Sequence, residues 1–188
     1  ETPVFEVKQG RHPVLDKKDD VQFIPNGLKL NDECSFYLIT GPNMAGKSTY
    51  MRQMALIAVM AQIGSFVPAE SVIMSPIDRL FTRIGTLDNL YSGQSTFMVE
   101  MLETATILNN ATLNSFIVLD EIGRGTSTFD GMSIAGAVSQ YIHDGIRARS
   151  LFATHYHELN ELADSCSRLK NYSMKISEVD GDVIFNYE

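Results

Sequence analysis

Cysteine is scarce: Cys34 and Cys166 are the only two among 188 residues. Two thiols so far apart in the chain offer no disulfide framework and fit a reducing compartment, as ordinary buried side chains. Long apolar runs are missing too. The nearest, Met54 to Ile63, is interrupted by Gln62 and falls well short of the ~20 residues a membrane-crossing helix needs. Glu1 to Gly10 has no basic start followed by an apolar stretch, so no secretory signal is visible. Positive charge is in deficit: 15 Lys and Arg stand against 23 Asp and Glu, a net charge of −8. That balance argues against gripping a nucleic-acid backbone through a broad basic surface. It leaves room for a small anion site, because backbone N–H groups bind phosphate without net charge. No internal repeat or low-complexity tract is present. The chain opens on Glu1 rather than methionine, so it is expected to be a piece of a longer protein.

What is there is globular. Apolar residues make up 44% and charged residues 20%, and the length suits about one domain. Val4 to Val7 and Val21 to Ile24 are expected as short strands, with Lys17 to Asp20 as a charged loop between them. Ser35 to Thr40 is apolar enough for a buried strand. Gly41 to Gly46 breaks it, and a helix is expected from Lys47 to about Ile63, apolar on most sides and therefore buried. Pro68 and Pro76 punctuate the next stretch. Arg79 to Ile84 suits a strand, Gly85 to Gln94 a loop, and Ser95 to Ala111 a helix with Phe97, Met101, Ala105 and Leu108 on one face. Phe116 to Leu119 is a second buried strand, Gly131 to Ile142 a helix and Ser150 to Thr154 a third buried strand. A short helix from Glu158 to Ala163 and a hairpin from Tyr172 to Tyr187, turning at Asp180-Gly181, complete the chain. Alternating strands and helices predict an α/β fold with a mainly parallel central sheet and an antiparallel portion. Ligands of such sheets sit beyond the C-terminal strand ends. Each of the three buried strands ends there in polar groups.

The first is Gly41-Pro42-Asn43-Met44-Ala45-Gly46-Lys47-Ser48, which fits G-x-x-x-x-G-K-[ST]. Such a loop wraps a polyphosphate with its N–H groups turned inward, and glycine keeps side chains out of the way. The helix that follows aims its first N–H groups at the same anion. Lys47 would neutralise the β and γ phosphates, and Ser48 would offer a hydroxyl to Mg2+. The second strand ends in Asp120-Glu121. Asp120 would hold Mg2+, and Glu121 would orient and deprotonate the attacking water. Neighbours on a strand point to opposite faces, so the two carboxylates share a site only if the strand relaxes at its end. The third strand delivers His155, placed to contact a γ-phosphate. A lone histidine is more often a core or surface residue, and its position at this strand end raises the functional reading. His157 with His155 lacks the further His or Cys neighbours that a metal site needs.

Two more stretches carry a resemblance. Ser92-Gly93-Gln94-Ser95-Thr96-Phe97-Met98-Val99-Glu100-Met101 and Asp120-Glu121-Ile122-Gly123-Arg124-Gly125-Thr126-Ser127-Thr128-Phe129-Asp130-Gly131 join Thr40 to Thr49 and Phe152-Ala153-Thr154-His155. Together they closely resemble the ATPase domain of the MutS mismatch-repair family, from about Arg11-His12-Pro13 to about Leu162. The wider ABC ATPase superfamily shares the phosphate loop and the Asp-Glu pair, but typically has a Leu-Ser-Gly-Gly-Gln signature in place of the Ser-Thr-Phe-Met-x-Glu-Met seen here.

The resemblance implies a P-loop fold of the ABC type that uses ATP or ADP with Mg2+. It also implies a second ATPase domain, in a homo- or heterodimer, that completes each site. On that pattern Ser95 reaches the γ-phosphate held by the opposite subunit, although a serine at a helix start is also a natural cap. Gly41, Pro42, Asn43, Met44, Ala45, Gly46, Lys47, Ser48 and Thr49 line the nucleotide. The Gly125 to Asp130 segment resembles a loop crossing between two active sites. Phe23 falls where the family has an aromatic that stacks on adenine, with a core phenylalanine as the equal alternative.

The mismatch-reading domain, the DNA-clamping lever helices and the C-terminal dimerisation segment of the family are expected to be missing. Residues 1–188 then make a single ATPase domain, weakly active alone. Mismatched DNA and downstream repair factors would be partners of the complete protein, without a membrane, in the cytoplasm and at the nucleoid of a bacterium or in the nucleus of a eukaryote. A nucleotide-gated module of a MutS relative acting in recombination is the alternative. An ABC transporter subunit is disfavoured by the signature residues.

Overall fold

Consecutive apolar residues in a strand must be covered on both faces, and that requirement organises this chain. The computed structural model describes residues 3–17, 23–42, 45–84, 96–179 and 182–187. Among them the chain runs β1 (Phe5–Gly10), β2 (Asn26–Leu30), β3 (Phe36–Thr40), α1 (Lys47–Gln62), β4 (Ser71–Met74), β5 (Leu80–Arg83), α2 (Thr96–Asn110), β6 (Phe116–Asp120), α3 (Thr128–Gln140), β7 (Arg149–Ala153), α4 (Leu162–Ser165), β8 (Leu169–Val179) and β9 (Asp182–Tyr187).

Six strands form the main sheet in the order β5-β6-β7-β3-β8-β9. The first five run parallel, and β9 returns antiparallel along the outer half of β8. A smaller antiparallel sheet has the order β2-β1-β4. The architecture is therefore α/β with a parallel sheet and an antiparallel portion, as the alternation predicts.

The pleat divides the core in two. Tyr37, Ile39, Phe116, Val118, Leu151 and Ala153 face one side, where α1 and the small sheet cover them with Met51, Met54, Ile57, Phe5 and Leu30. Phe36, Leu38, Ile117, Leu119 and Phe152 face the other, covered by Ile107, Ala135, Val138, Ile142 and Leu159. Each buried Val, Leu, Ile, Phe or Met among them contributes roughly 1.5–3 kcal/mol. Phe5 meets Phe116 edge-on at 5.2 Å and ties the two sheets together. Arg149 does the same with polar bonds. It is 1% exposed and donates to the carbonyls of Val4 (3.0 Å), Ser75 (3.0 Å), Pro76 (3.3 Å) and Asn114 (2.7 Å). Burial lowers its pKa to about 10, so it stays charged at neutral pH.

Several expectations are corrected. Phe23 to Pro25 is not strand; the strand starts at Asn26, after Pro25, whose missing N–H cannot join a ladder. Val21 and the turn at Asp180-Gly181 lie outside the described residues, as do Gly85 to Gln94. β4 carries no strong apolar pattern, and its pairing with β1 (Phe5 opposite Met74) recruits it. The hairpin strand begins at Leu169, because its first residues extend the parallel sheet beside β3. Glu158 to Ala163 is a 3-10 turn, His157–Glu161, running into the single turn of α4. α1 is not buried all round: Leu56 (39%), Val59 (45%) and Ile63 (73%) are exposed along one side. α3 starts earlier than expected, at Thr128, where the Ser127 hydroxyl accepts the Asp130 N–H and caps it.

Candidate functional site

The register of β6, β7 and β3 brings three strand ends to one edge. Asp120 sits opposite Ala153, and Ala153 opposite Ile39. Thr154 donates its N–H to the Ile39 carbonyl (3.0 Å), and Glu121 donates its N–H to the Ala153 carbonyl (2.8 Å). Past β3 the chain turns through Gly41 (φ 140°) and Gly46 (φ 82°), conformations that a side chain resists. The N-cap of α1 is Gly46, which has no side chain to bond the first N–H groups of the helix, and helix starts of this kind suit an anion.

Lys47 opens α1 and is buried, with Nζ donating to the carbonyls of Gly41 (2.5 Å) and Pro42 (3.1 Å). Its Nζ lies 4.0 Å from Glu121 Oε1. Burial lowers its pKa below the usual lysine value; Glu121 and Asp120 pull the other way, and Arg124 adds to the fall. The Ser48 hydroxyl donates to Asp120 Oδ2 at 2.5 Å. Asp120 Oδ1 is buried with no hydrogen-bond partner among the described residues. A buried, unpartnered carboxylate oxygen beside a hydroxyl is a donor set that suits a hard divalent cation such as Mg2+.

Glu121 leaves the strand in a left-handed conformation, φ 55°. That turn answers the pleat problem, because it leaves the second carboxylate in the same cavity as Lys47 and Ser48. Pro42, Gly46, Lys47, Ser48, Thr49, Glu121 and Arg124 then line one cavity of about 380 Å³. Glu121 Oε2 pairs there with the Arg124 guanidinium.

His155 follows β7, with its ring 4.1 Å from that of Tyr156 and its Nδ1 buried without a hydrogen-bond partner among the described residues. Burial lowers its pKa below 6.5; Glu121 opposes the shift, while Arg124, Lys47 and His157 add to it. Ala45 is buried behind the loop. Phe23 is half-buried and does not line the cavity; its carbonyl accepts from Arg11 Nη1 at 3.4 Å. Asn43, Met44 and Ser95 lie outside the described residues.

Sequence patterning misses the support behind Glu121. On α2 the buried residues are Glu100, Thr104 and Ile107, whereas Ala105 is exposed and Phe97, Met101 and Leu108 are half-buried. A glutamate on the inward face faces a buried arginine, Arg83, at 3.6 Å. Glu100 Oε1 also accepts the Gly123 N–H at 2.5 Å. Tyr156 donates its hydroxyl to the Gly123 carbonyl at 3.0 Å. The available signal was Glu100 itself, three before Glu103 and at helical spacing from Thr104 and Ile107.

Residues 37–188 match the family model described as MutS domain V. The chain is 60% identical over 183 residues to "DNA mismatch repair protein MutS" of Acetivibrio thermocellus, covering 96% of this chain and 21% of that protein. Proteins of the same name from Solibacter usitatus (58% over 183 residues; 95% and 21%) and Bacillus subtilis (55% over 184 residues; 97% and 21%) are similarly close. The chain thus spans about a fifth of the length of these relatives. With a match over most of its length and these identities, the chain belongs to the MutS family, in its domain V.

Proposed function

We propose that this chain binds ATP with Mg2+ and hydrolyses it, as a P-loop ATPase domain of the ABC type that drives a mismatch-repair protein. One observation carries the proposal: Lys47, Ser48, Glu121 and the start of α1 meet at a single cavity, with Asp120 bonded to Ser48 beside it. The relatives' names carry mismatch repair, and nothing specific favours a recombination module.

Phosphate oxygens would take the place of the Gly41 and Pro42 carbonyls on Lys47 Nζ, and the first N–H groups of α1 would complete the cradle. Bound Mg2+ would neutralise charge on the phosphates from a position held by Ser48 and Asp120. Glu121 would accept a proton from the attacking water, with its carboxylate meanwhile kept in place by Arg124 and the nearby Lys47. His155, held neutral by burial, suits a hydrogen bond to a phosphate oxygen rather than a second positive charge. Asn43, Met44 and Thr49 extend the nucleotide site in this reading, and Ser95 acts in trans from a second ATPase domain. Mismatched DNA and downstream repair factors would be engaged by the complete protein, which in a bacterium acts in the cytoplasm.

Two substitutions in the complete protein test this. Lys47→Ala should weaken ATP binding about tenfold or more, the size of a lost hydrogen bond to a charged group. Glu121→Ala should keep ATP binding while turnover falls about 10²–10⁴-fold, the usual contribution of a general base. Calorimetry and phosphate release measure the two. Unchanged affinity in the first, or near-parent turnover in the second, removes the role assigned.

A further inference from the structure

Arg83 and Glu100 are buried ionisable side chains to which the proposed reaction gives no task. Removing such a pair from water costs more than packing two apolar residues there, so stability alone does not account for it. What the pair touches does. Arg83 Nη1 donates to the Asp120 carbonyl at 3.3 Å, and Glu100 Oε1 takes the Gly123 N–H at 2.5 Å. These two bonds bracket Glu121.

The far side of the Gly123 peptide is held as well. Its carbonyl accepts the Tyr156 hydroxyl at 3.0 Å. Gly123 (φ 93°) lies so close to Gly131 that a Cβ on it would fall 2.6 Å from the Gly131 Cα. Two residues further on, a Cβ on Gly125 would fall 2.8 Å from the Cβ of Phe97 on α2. The loop after β6 is thus bonded to α2 through Glu100 and to the segment after β7 through Tyr156, lies close against Phe97 of α2, and follows a strand end bonded to Arg83 of β5. Glu121 sits inside that frame in a left-handed conformation that its own backbone does not favour.

We propose that Glu100 is a positioning residue whose carboxylate fixes the Gly123 peptide, so that α2 and the loop bearing Glu121 move as one unit. The inference rests on the ATPase reading above. Glu100 reaches Glu121 through one hydrogen bond, to the Gly123 N–H, and the two peptides between them.

The test measures ATP turnover and ATP affinity of the complete protein carrying Glu100→Ala, Glu100→Gln, Tyr156→Phe or the pair Glu100→Ala with Tyr156→Phe. Glu100→Ala should lower kcat about tenfold or more, a bond to a charged group being lost, while affinity moves less than about twofold. Glu100→Gln keeps an oxygen for the Gly123 N–H, and Arg83 keeps Glu103 (3.4 Å) as counter-charge, so kcat should recover to within about threefold of the parent. Tyr156→Phe should lower kcat by a smaller factor, and the double variant should fall short of the product of the single losses, since both act on one peptide.

Parent-like kcat in Glu100→Ala overturns the inference. So does Glu100→Gln as slow as Glu100→Ala, because the acceptor would then not matter. If Glu100→Ala fails to fold, Tyr156→Phe decides alone: lowered kcat at unchanged affinity supports the clamp, and parent kcat overturns it. Lys47→Ala separates the two levels. Turnover that survives Lys47→Ala defeats the ATPase reading; turnover lost with Lys47→Ala but kept with Glu100→Ala defeats only the clamp.

Discussion

The loop after β3 and the loop after β6 face the same cavity, yet they are built differently. The first is shaped by its own backbone: Gly41 and Gly46 take positive φ, and Lys47 folds back on the carbonyls of Gly41 and Pro42 within the same turn. The second is shaped from outside. Glu121 adopts φ 55° while Arg83, Glu100, Tyr156 and Gly131 hold the residues around it. Local geometry suffices to gather anions, because any ring of inward N–H groups does so. Placing one carboxylate against a water demands more: an error of about 1 Å is costly, and rigid neighbours from several elements supply the accuracy.

The sharpest way to break this contrast is Gly131→Ala. A Cβ there would overlap the Gly123 carbonyl and the Tyr156 hydroxyl, so the outer frame must shift. Overpacking of this kind costs roughly 1–3 kcal/mol. Turnover should fall while ATP affinity holds, and hydrogen exchange at the Gly123 and Glu121 amides should speed up; unchanged exchange there would contradict the frame.

Gly46→Ala is the local counterpart. Gly46 has φ 82°, and left-handed backbone on a non-glycine residue costs about 1–2 kcal/mol. It should weaken ATP affinity and leave exchange at Gly123 unaltered. A loss confined to kcat would mean that the phosphate loop is not locally determined.

A smaller effect probes the third strand end. Burial holds the His155 pKa below 6.5, so any acid limb of kcat that this group causes lies below that value and vanishes in His155→Asn. The unfolded chain takes up this proton first, so acidification from 6.5 downward also lowers stability until the folded-state group protonates. A limb at or above 6.5 that depends on His155 would contradict the assignment.

Legibility in the sequence follows the same division. The buried strands at Phe36, Phe116 and Ser150 were visible because a parallel strand covered on both faces is apolar at every position. The loop from Gly41 to Ser48 was visible because its glycines and lysine stand at fixed spacing. β4 was hidden, since none of its residues is buried, Ile73 is exposed, and only pairing with β1 makes it a strand. α2 misled, because the inward Glu100 and Thr104 carry no apolar signal. Exposed Leu56 and Val59 on α1 misled in the opposite direction, since apolar character permits burial without requiring it.

By itself the sequence determined an α/β sheet, the three polar strand ends and the chemistry those ends could hold, because these depend on residue type and short spacing. Only the tertiary structure decided that Asp120 meets Ser48, that Glu121 turns toward Lys47, and that a buried Arg83–Glu100 pair stands behind both. Those contacts join residues far apart in the chain. Their partners are chosen by sheet order and helix packing, which no local pattern encodes.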